Sequence, residues 1–381
     1  MSFAARAESF DGPSPGRSAG PASWAGSLRA IAGAARRASS PGREVCFRIG
    51  DRRLRVAVAG NPLIEELEER YGDCAVPGGE PEPDDVLCEV EVLPDTALLC
   101  LTFTGTGLPD PLDATGTPFR IVRNLARHVA VEGPLDGWRT LVDREDGDRP
   151  VAASDGRHLV LDRVATPAGL ATDAAVNVVQ AAQPDLLFLH AASFGVAGAG
   201  GLLVGWSGSG KSTTALALAA RGHAFLGDDV AAVRCRSREI LPFPRAVRLR
   251  PGAYVRSLEP RLRAAGGATA VGEDGLPRTV VSMGALFPHR AASVLPLRHA
   301  FLLDGFGDRA RLAPYLPRTS DLGRLRPAVN GATPHWGHSA GRDLLRFLAL
   351  VDVLRGAHCH LVTLGTPEET AAAIEAAMEA A

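Results

Sequence analysis

Lysine is almost absent from this chain: among 41 basic residues only Lys211 is lysine, and all the others are arginine. No charge dominates either. The 41 Lys+Arg stand against 43 Asp+Glu, a formal net charge of −2, whereas a nucleic-acid binder normally carries a strong basic excess. The six cysteines (Cys46, Cys74, Cys88, Cys100, Cys235 and Cys359) include no Cys-x-x-Cys pair. That excludes a paired-ligand zinc site and a dense disulfide framework, and leaves buried free thiols in a reducing cytosol, hence a cytoplasmic protein. Long apolar runs suited to export are missing as well. In residues 1–42, rich in Ala, Gly, Ser, Pro and Arg, the charges of Arg29, Arg36 and Arg37 interrupt any signal-peptide core. This stretch reads as a disordered or weakly helical basic tail. Leu186–Trp206 has no formally charged side chain, yet Gly195, Gly198, Gly200 and Gly201 divide it. A buried strand, a turn and a second buried strand fit it better than a membrane helix.

With 381 residues, 46% hydrophobic and 22% charged, the chain has room for two packed domains. From Val45 the pattern is one of short strands: Cys46–Ile49 and Leu54–Ala59 about a turn at Gly50-Asp51, then a helix from Asn61-Pro62 to Arg70. Gly78–Asp85 reads as a loop, and Val86–Val92 and Ala97–Phe103 as a hairpin. Further strands are expected at Phe119–Val122, Gly137–Val142 and His158–Leu161. Residues 43–164 therefore read as a smaller α+β domain, with no catalytic constellation in it. The pattern changes after that. A helix over Ala168–Ala182, strands at Leu186–His190 and Leu202–Gly205, a helix over Lys211–Arg221 and a strand at Ala224–Leu226 describe an α/β nucleotide-binding core over 165–381. A helix at Gly341–Arg355, a strand at His358–Leu364 and a last helix opened by Thr366-Pro367-Glu368-Glu369 complete it.

The chemistry concentrates around the single lysine. Gly205-Trp206-Ser207-Gly208-Ser209-Gly210-Lys211-Ser212 fits the P-loop pattern, follows the apolar strand Leu202–Val204 and opens a helix. Its glycines let backbone N–H groups turn toward phosphate, Lys211 reaches the β- and γ-phosphates, and the Ser212 hydroxyl meets Mg²⁺. A GC-rich composition with 42 Gly and 28 Pro has exchanged lysine for arginine elsewhere, which marks Lys211 as a site where a planar fork does not serve. The expected nucleotide contacts are Gly205, Ser207, Gly208, Ser209, Gly210, Lys211, Ser212 and Thr213. Asp228-Asp229 follows Lys211 by seventeen residues, at the end of a short apolar strand. Two carboxylates there can divide their work, one on the metal and one accepting the proton of an attacking hydroxyl. The other reading is a solvated turn. His190 ends the strand before the P-loop.

Leu189-His190-Ala191-Ala192, Gly201–Ser212, Arg221-Gly222-His223 and Leu226-Gly227-Asp228-Asp229 together resemble the C-terminal domain of the HPr kinase/phosphorylase family. The resemblance implies a fold related to phosphoenolpyruvate carboxykinase and ATP- and Mg-dependent transfer to a serine hydroxyl. It also implies that His190 and one aspartate handle the proton, while the other aspartate and Ser212 serve the metal. On this reading Asp228 is the base, His190 its orienting partner, and Asp229 with Ser212 holds Mg²⁺. Thr213 stands where the bifunctional enzymes have Glu, and Pro242–Arg250 replaces their glycine-rich phosphorolysis segment. HPr is thus disfavoured as substrate and phosphorolysis as an activity. The chain is more similar to HPr-kinase-like proteins of peptide natural-product clusters, including kinases of lasso-peptide precursors.

Arg245 and Arg248 are candidates for an anionic phosphate or substrate, with Arg248 and Arg250 on one strand face and Arg245 on the other. His358-Cys359-His360 reads as a plain strand rather than a metal site. His335 and His338, beside Trp336, lie in a Gly/Pro-rich stretch that resembles a lid. The expected partners are a peptide or protein carrying the acceptor serine, with no nucleic acid and no membrane; a homo-oligomer is left open. A small-molecule hydroxyl kinase and a non-catalytic ATP-sensing module are the alternatives.

Overall fold

The computed structural model describes residues 21–33, 43–58, 62–93, 97–113, 128–135, 138–143, 149–163, 169–271, 276–288, 293–321, 325 and 340–380. The architecture is mixed α/β, with an eight-stranded, a nine-stranded and a three-stranded sheet among these residues. The expected strand Phe119–Val122, the cap Asn61, the boundary at 164/165 and the histidines His335 and His338 lie outside the described residues.

The eight-stranded sheet runs in the order Arg43–Ile49, Arg52–Val58, Val86–Val92, Leu98–Thr104, His158–Asp162, Arg149–Ser154, Trp138–Asp143, His128–Leu135. Alternation along Leu98–Phe103 sends Leu99, Leu101 and Phe103 to one face and Leu98 and Cys100 to the other. Helices Pro62–Tyr71 and Leu170–Ala181 cover the first face. The second is covered by helix Pro21–Gly33, whose Trp24 and Leu28 are buried against Leu98, Cys100 and Trp138. Those residues were expected in a disordered or weakly helical tail, and their packing on the sheet was not foreseen. Small Ala, Ser and Gly side chains hide the apolar stripe that Trp24, Leu28 and Ile31 make at helical spacing.

The P-loop strand Ala199–Val204 lies in the nine-stranded sheet, between Ala191–Val196 (antiparallel) and Leu295–Phe306 (parallel). The P-loop helix Lys211–Ala220 and the C-terminal helix Pro367–Glu379 pack on one face, and helix Ala340–Arg355 on the other. The capping box at Thr366 and Glu369 forms. Leu186–Trp206 departs from its expected two strands: three appear, at Leu186–Leu189, Ala191–Val196 and Ala199–Val204, because His190 is a bend between consecutive strands rather than a strand end. None of the described helices is long and apolar enough to cross a membrane.

The two large sheets share one core. Phe47, Ile49, Leu67 and Tyr71 of the first half pack in the same cluster as Leu186, Phe188, Val230 and Phe243 of the second. Tyr71 lies 6.0 Å, ring to ring, from Phe243, the Ala246 N–H donates to the Arg70 carbonyl at 3.0 Å, and the Cys74 thiol donates to the Pro244 carbonyl at 3.3 Å. The end of helix Pro62–Tyr71 is thereby fastened to the segment that passes beside the P-loop.

Candidate active site

Two kinked strand pairs build the site. Leu186–Leu189 pairs with Ala231–Arg234, with Leu189 opposite Ala231, and Ala191–Val196 pairs with Ala224–Gly227, with Ser193 opposite Gly227. Both chains bend between their two strands at the same level, one at His190 and the other at Asp228-Asp229. Register alone therefore sets the histidine against the aspartates. Asp229 takes the left-handed conformation, φ 66°, a strain of about 1–3 kcal/mol that aspartate tolerates better than most residues.

The resulting pairing reverses the expected one. His190 Nδ1 lies 3.1 Å from an Asp229 carboxylate oxygen and 3.1 Å from its carbonyl, while the Ser212 hydroxyl bonds Asp228. Asp229 in its left-handed turn reaches back to His190, and Asp228 points inward, 4% exposed. Burial and the neighbouring Asp229 charge push the Asp228 carboxyl up to about 6, against the hydrogen bond from Ser212. Although burial acts upward on Asp229 too, the hydrogen bond from His190 and the charges of Arg245, His190 and Lys211 hold it well below the usual carboxylate range.

Lys211 Nζ donates to the carbonyls of Gly205 at 2.8 Å and Trp206 at 3.0 Å, and to His190 Nε2 at 3.1 Å. An ammonium donor on Nε2 places the imidazole proton on Nδ1, facing Asp229. All three ammonium protons of Lys211 are thus engaged, and burial lowers its pKa below that of a free lysine.

The loop itself is shaped for a bulky anion. A Cβ on Gly205 would sit 2.5 Å from Ser209 Oγ, and Gly210 needs φ +95° to turn the chain into the helix. That helix starts at Gly210 without a side-chain cap, which leaves N–H groups of its first turn facing outward with the positive dipole end. Ser209 Oγ and Asp228 Oδ1 are buried without hydrogen-bond partners. An unsatisfied hydroxyl beside the loop suits a phosphate oxygen, and a buried, unpartnered carboxylate oxygen next to a serine hydroxyl suits a divalent cation. Ser207 and Gly208 are exposed at the tip of the loop, and Ser212 and Thr213 occupy the first turn of the helix.

The arginines sort differently from expectation. The strand spans only Val247–Leu249, so Arg245 and Arg250 fall outside it and alternation does not order them. Arg245 lies over the Tyr71 ring, 5.0 Å to its centroid, and 3.5 Å from Asp229. Arg248 is exposed and makes no ion pair among the described residues. Arg250, passed over in the sequence, comes closest to the loop: a Cβ on Gly208 would lie 3.4 Å from its Nη1. Arg70 and Tyr71 were missed too. Arg70 pairs with Asp173 at 2.6 Å and Glu66 at 3.3 Å and lies 5.7 Å from the Tyr71 ring centroid. Nothing local marks either residue, since their role comes from a contact across more than 170 positions. His360 stacks with His299 at 6.0 Å between centroids, and His358 meets it at a tilt, 5.3 Å away.

No protein-family model matches the chain, and no curated protein matches it. Among solved structures it is similar to the HPr(Ser) kinase/phosphatase from Coxiella burnetii, with a TM-score of 0.26 and 13% identity over 51% of this chain and 94% of that chain. At that overlap the functional reading rests on the geometry of the site.

Proposed function

We propose that this chain is an ATP-dependent kinase of HPr-kinase-like type that phosphorylates a serine hydroxyl of a peptide or protein. The observation that carries the reading is the line Lys211–His190–Asp229 at the mouth of the P-loop, beside a buried aspartate with a free oxygen. A nucleotide sensor needs phosphate contacts but no oriented proton acceptor.

Phosphate oxygens take over the protons that Lys211 now gives to Gly205, Trp206 and His190. That frees His190 Nε2, whose partner nitrogen stays fixed by Asp229. As the bond from serine Oγ to the γ-phosphorus forms and the bond from that phosphorus to the bridging oxygen of ADP breaks, the hydroxyl proton passes to Nε2. Asp229 then stabilises the imidazolium, as a carboxylate does behind any catalytic histidine. Arg250, whose Nη1 lies beside Gly208, is a cation available to the transferring group, and Arg248 is the exposed arginine two positions before it. Ser212 and Asp228 would hold Mg²⁺, which supplies neutralisation of phosphate charge when bound. A second assignment, Asp228 as the base, is favoured by its raised pKa, close to the working pH of a general base.

The resemblance to kinases of lasso-peptide precursors makes a serine-bearing ribosomal peptide the first acceptor to test. Label from γ-labelled ATP should enter such a peptide and not its Ser→Ala counterpart, and Asp228→Asn and His190→Ala should each lower transfer. Label appearing only in a small alcohol would support a small-molecule kinase instead. ATP bound but never consumed would support the sensor.

A further inference from the structure

Among the described residues, the tryptophan and phenylalanine side chains that are exposed are Trp206 and Phe306, and both stand at one place. Trp24 and Trp138 are 0% and 3% exposed, and Phe188, Phe194, Phe243 and Phe301 are 0% exposed, whereas Trp206 is 61% and Phe306 70% exposed. Trp206 is the second residue of the P-loop. Phe306 ends the strand Leu295–Phe306, which runs parallel beside the P-loop strand with Leu302 opposite Val204. The Phe306 ring reaches the other end of the loop, where a Cβ on Gly210 would lie 3.7 Å from it. Neither ring stacks on another aromatic among the described residues. The Trp206 backbone is held by the loop itself, since its carbonyl accepts from the Ser209 N–H at 3.1 Å independently of Lys211, and its indole is turned outward.

An exposed indole on a fixed backbone is a stacking surface, and the loop that carries it is the one read above as holding a triphosphate. We propose that Trp206 is the platform on which the nucleobase of the bound nucleoside triphosphate stacks, with Phe306 as the second aromatic wall at the far end of the loop. This rests on the P-loop reading. It adds that the base, and not the phosphates alone, contributes to affinity, through a contact that any base can make because each has a π-face.

Calorimetry with two probes tests it: MgATP, and magnesium tripolyphosphate, which lacks base and sugar. Trp206→Ala should weaken MgATP binding on the order of tenfold and leave tripolyphosphate binding unchanged, and Trp206→Phe should recover most of the loss. Equal loss for both probes would mean that Trp206 shapes the loop rather than meeting the base, and unchanged MgATP binding would mean that it does neither; either result overturns the proposal. Wild-type protein that binds neither probe would remove the P-loop reading itself. Trp206 is exposed, so its replacement leaves the core intact, and a thermal melt of each variant verifies this.

Discussion

Lys211 and His190 hold each other: the lysine ammonium donates to His190 Nε2 at 3.1 Å, and the opposite ring nitrogen is turned to Asp229. On the proposed function the imidazole does two jobs, orienting the lysine and accepting a proton. His190→Ala should lower turnover at least tenfold, within the usual range for loss of general-base help. Its melting temperature should stay near wild type, since the side chain belongs to no apolar cluster. Steady-state kinetics with a parallel melt measures both.

Arg245 links the first half of the chain to the site, lying over Tyr71 and against Asp229. A planar guanidinium can stack and pair at once, and an ammonium cannot do so in the same geometry. Arg245→Lys and Tyr71→Leu should each reduce turnover several-fold. In a double-mutant cycle their effects should be less than additive, because each removes the same contact. Full additivity would mean that Arg245 acts without Tyr71.

With Thr213 after the loop serine and Pro242–Arg250 in place of a phosphorolysis segment, transfer should run one way. Phosphorylated product incubated with inorganic phosphate should release no pyrophosphate, as followed by a coupled pyrophosphate assay.

His299 gives stability a pH dependence. Burial, with the neighbouring His358 and His360, lowers its pKa from 6.5 to about 4. Between those two values the unfolded chain binds more protons than the folded one. This contribution is therefore fully present above about 6.5 and is lost as the pH falls toward about 4. Denaturant unfolding across that range should show the decline, and His299→Phe, which keeps a flat ring, should flatten it.

The parts of the fold that short-range signals write were legible in the sequence. The strand Val86–Val92, the strand His358–Leu364 and the capping box at Thr366 appear where alternation and capping residues put them. The turn from strand Ala199–Val204 into helix Lys211–Ala220 was legible because its closely spaced glycines write it. What escaped depends on distance along the chain. His190 was visible as a residue but not as a bend, since no turn residue marks it. Which aspartate it meets follows from the register of two strand pairs and from the left-handed turn at Asp229, and neither has a local signature. Arg70 and Tyr71 carry no motif and reach the site only because helix Pro62–Tyr71 packs on the sheet that the later segment also joins. Trp24 was lost among alanines and serines that read as a tail.

The central claim is that Lys211 and its loop bind the phosphates of a nucleotide. Calorimetric titration of MgATP into the wild-type chain and into Lys211→Ala and Lys211→Arg measures this most directly. The wild type should bind, Lys211→Ala should lose binding with its fold retained, and Lys211→Arg should bind poorly, because a planar guanidinium cannot make the point-charge contact of the chain's single lysine. Equal affinity in all three proteins would contradict the account.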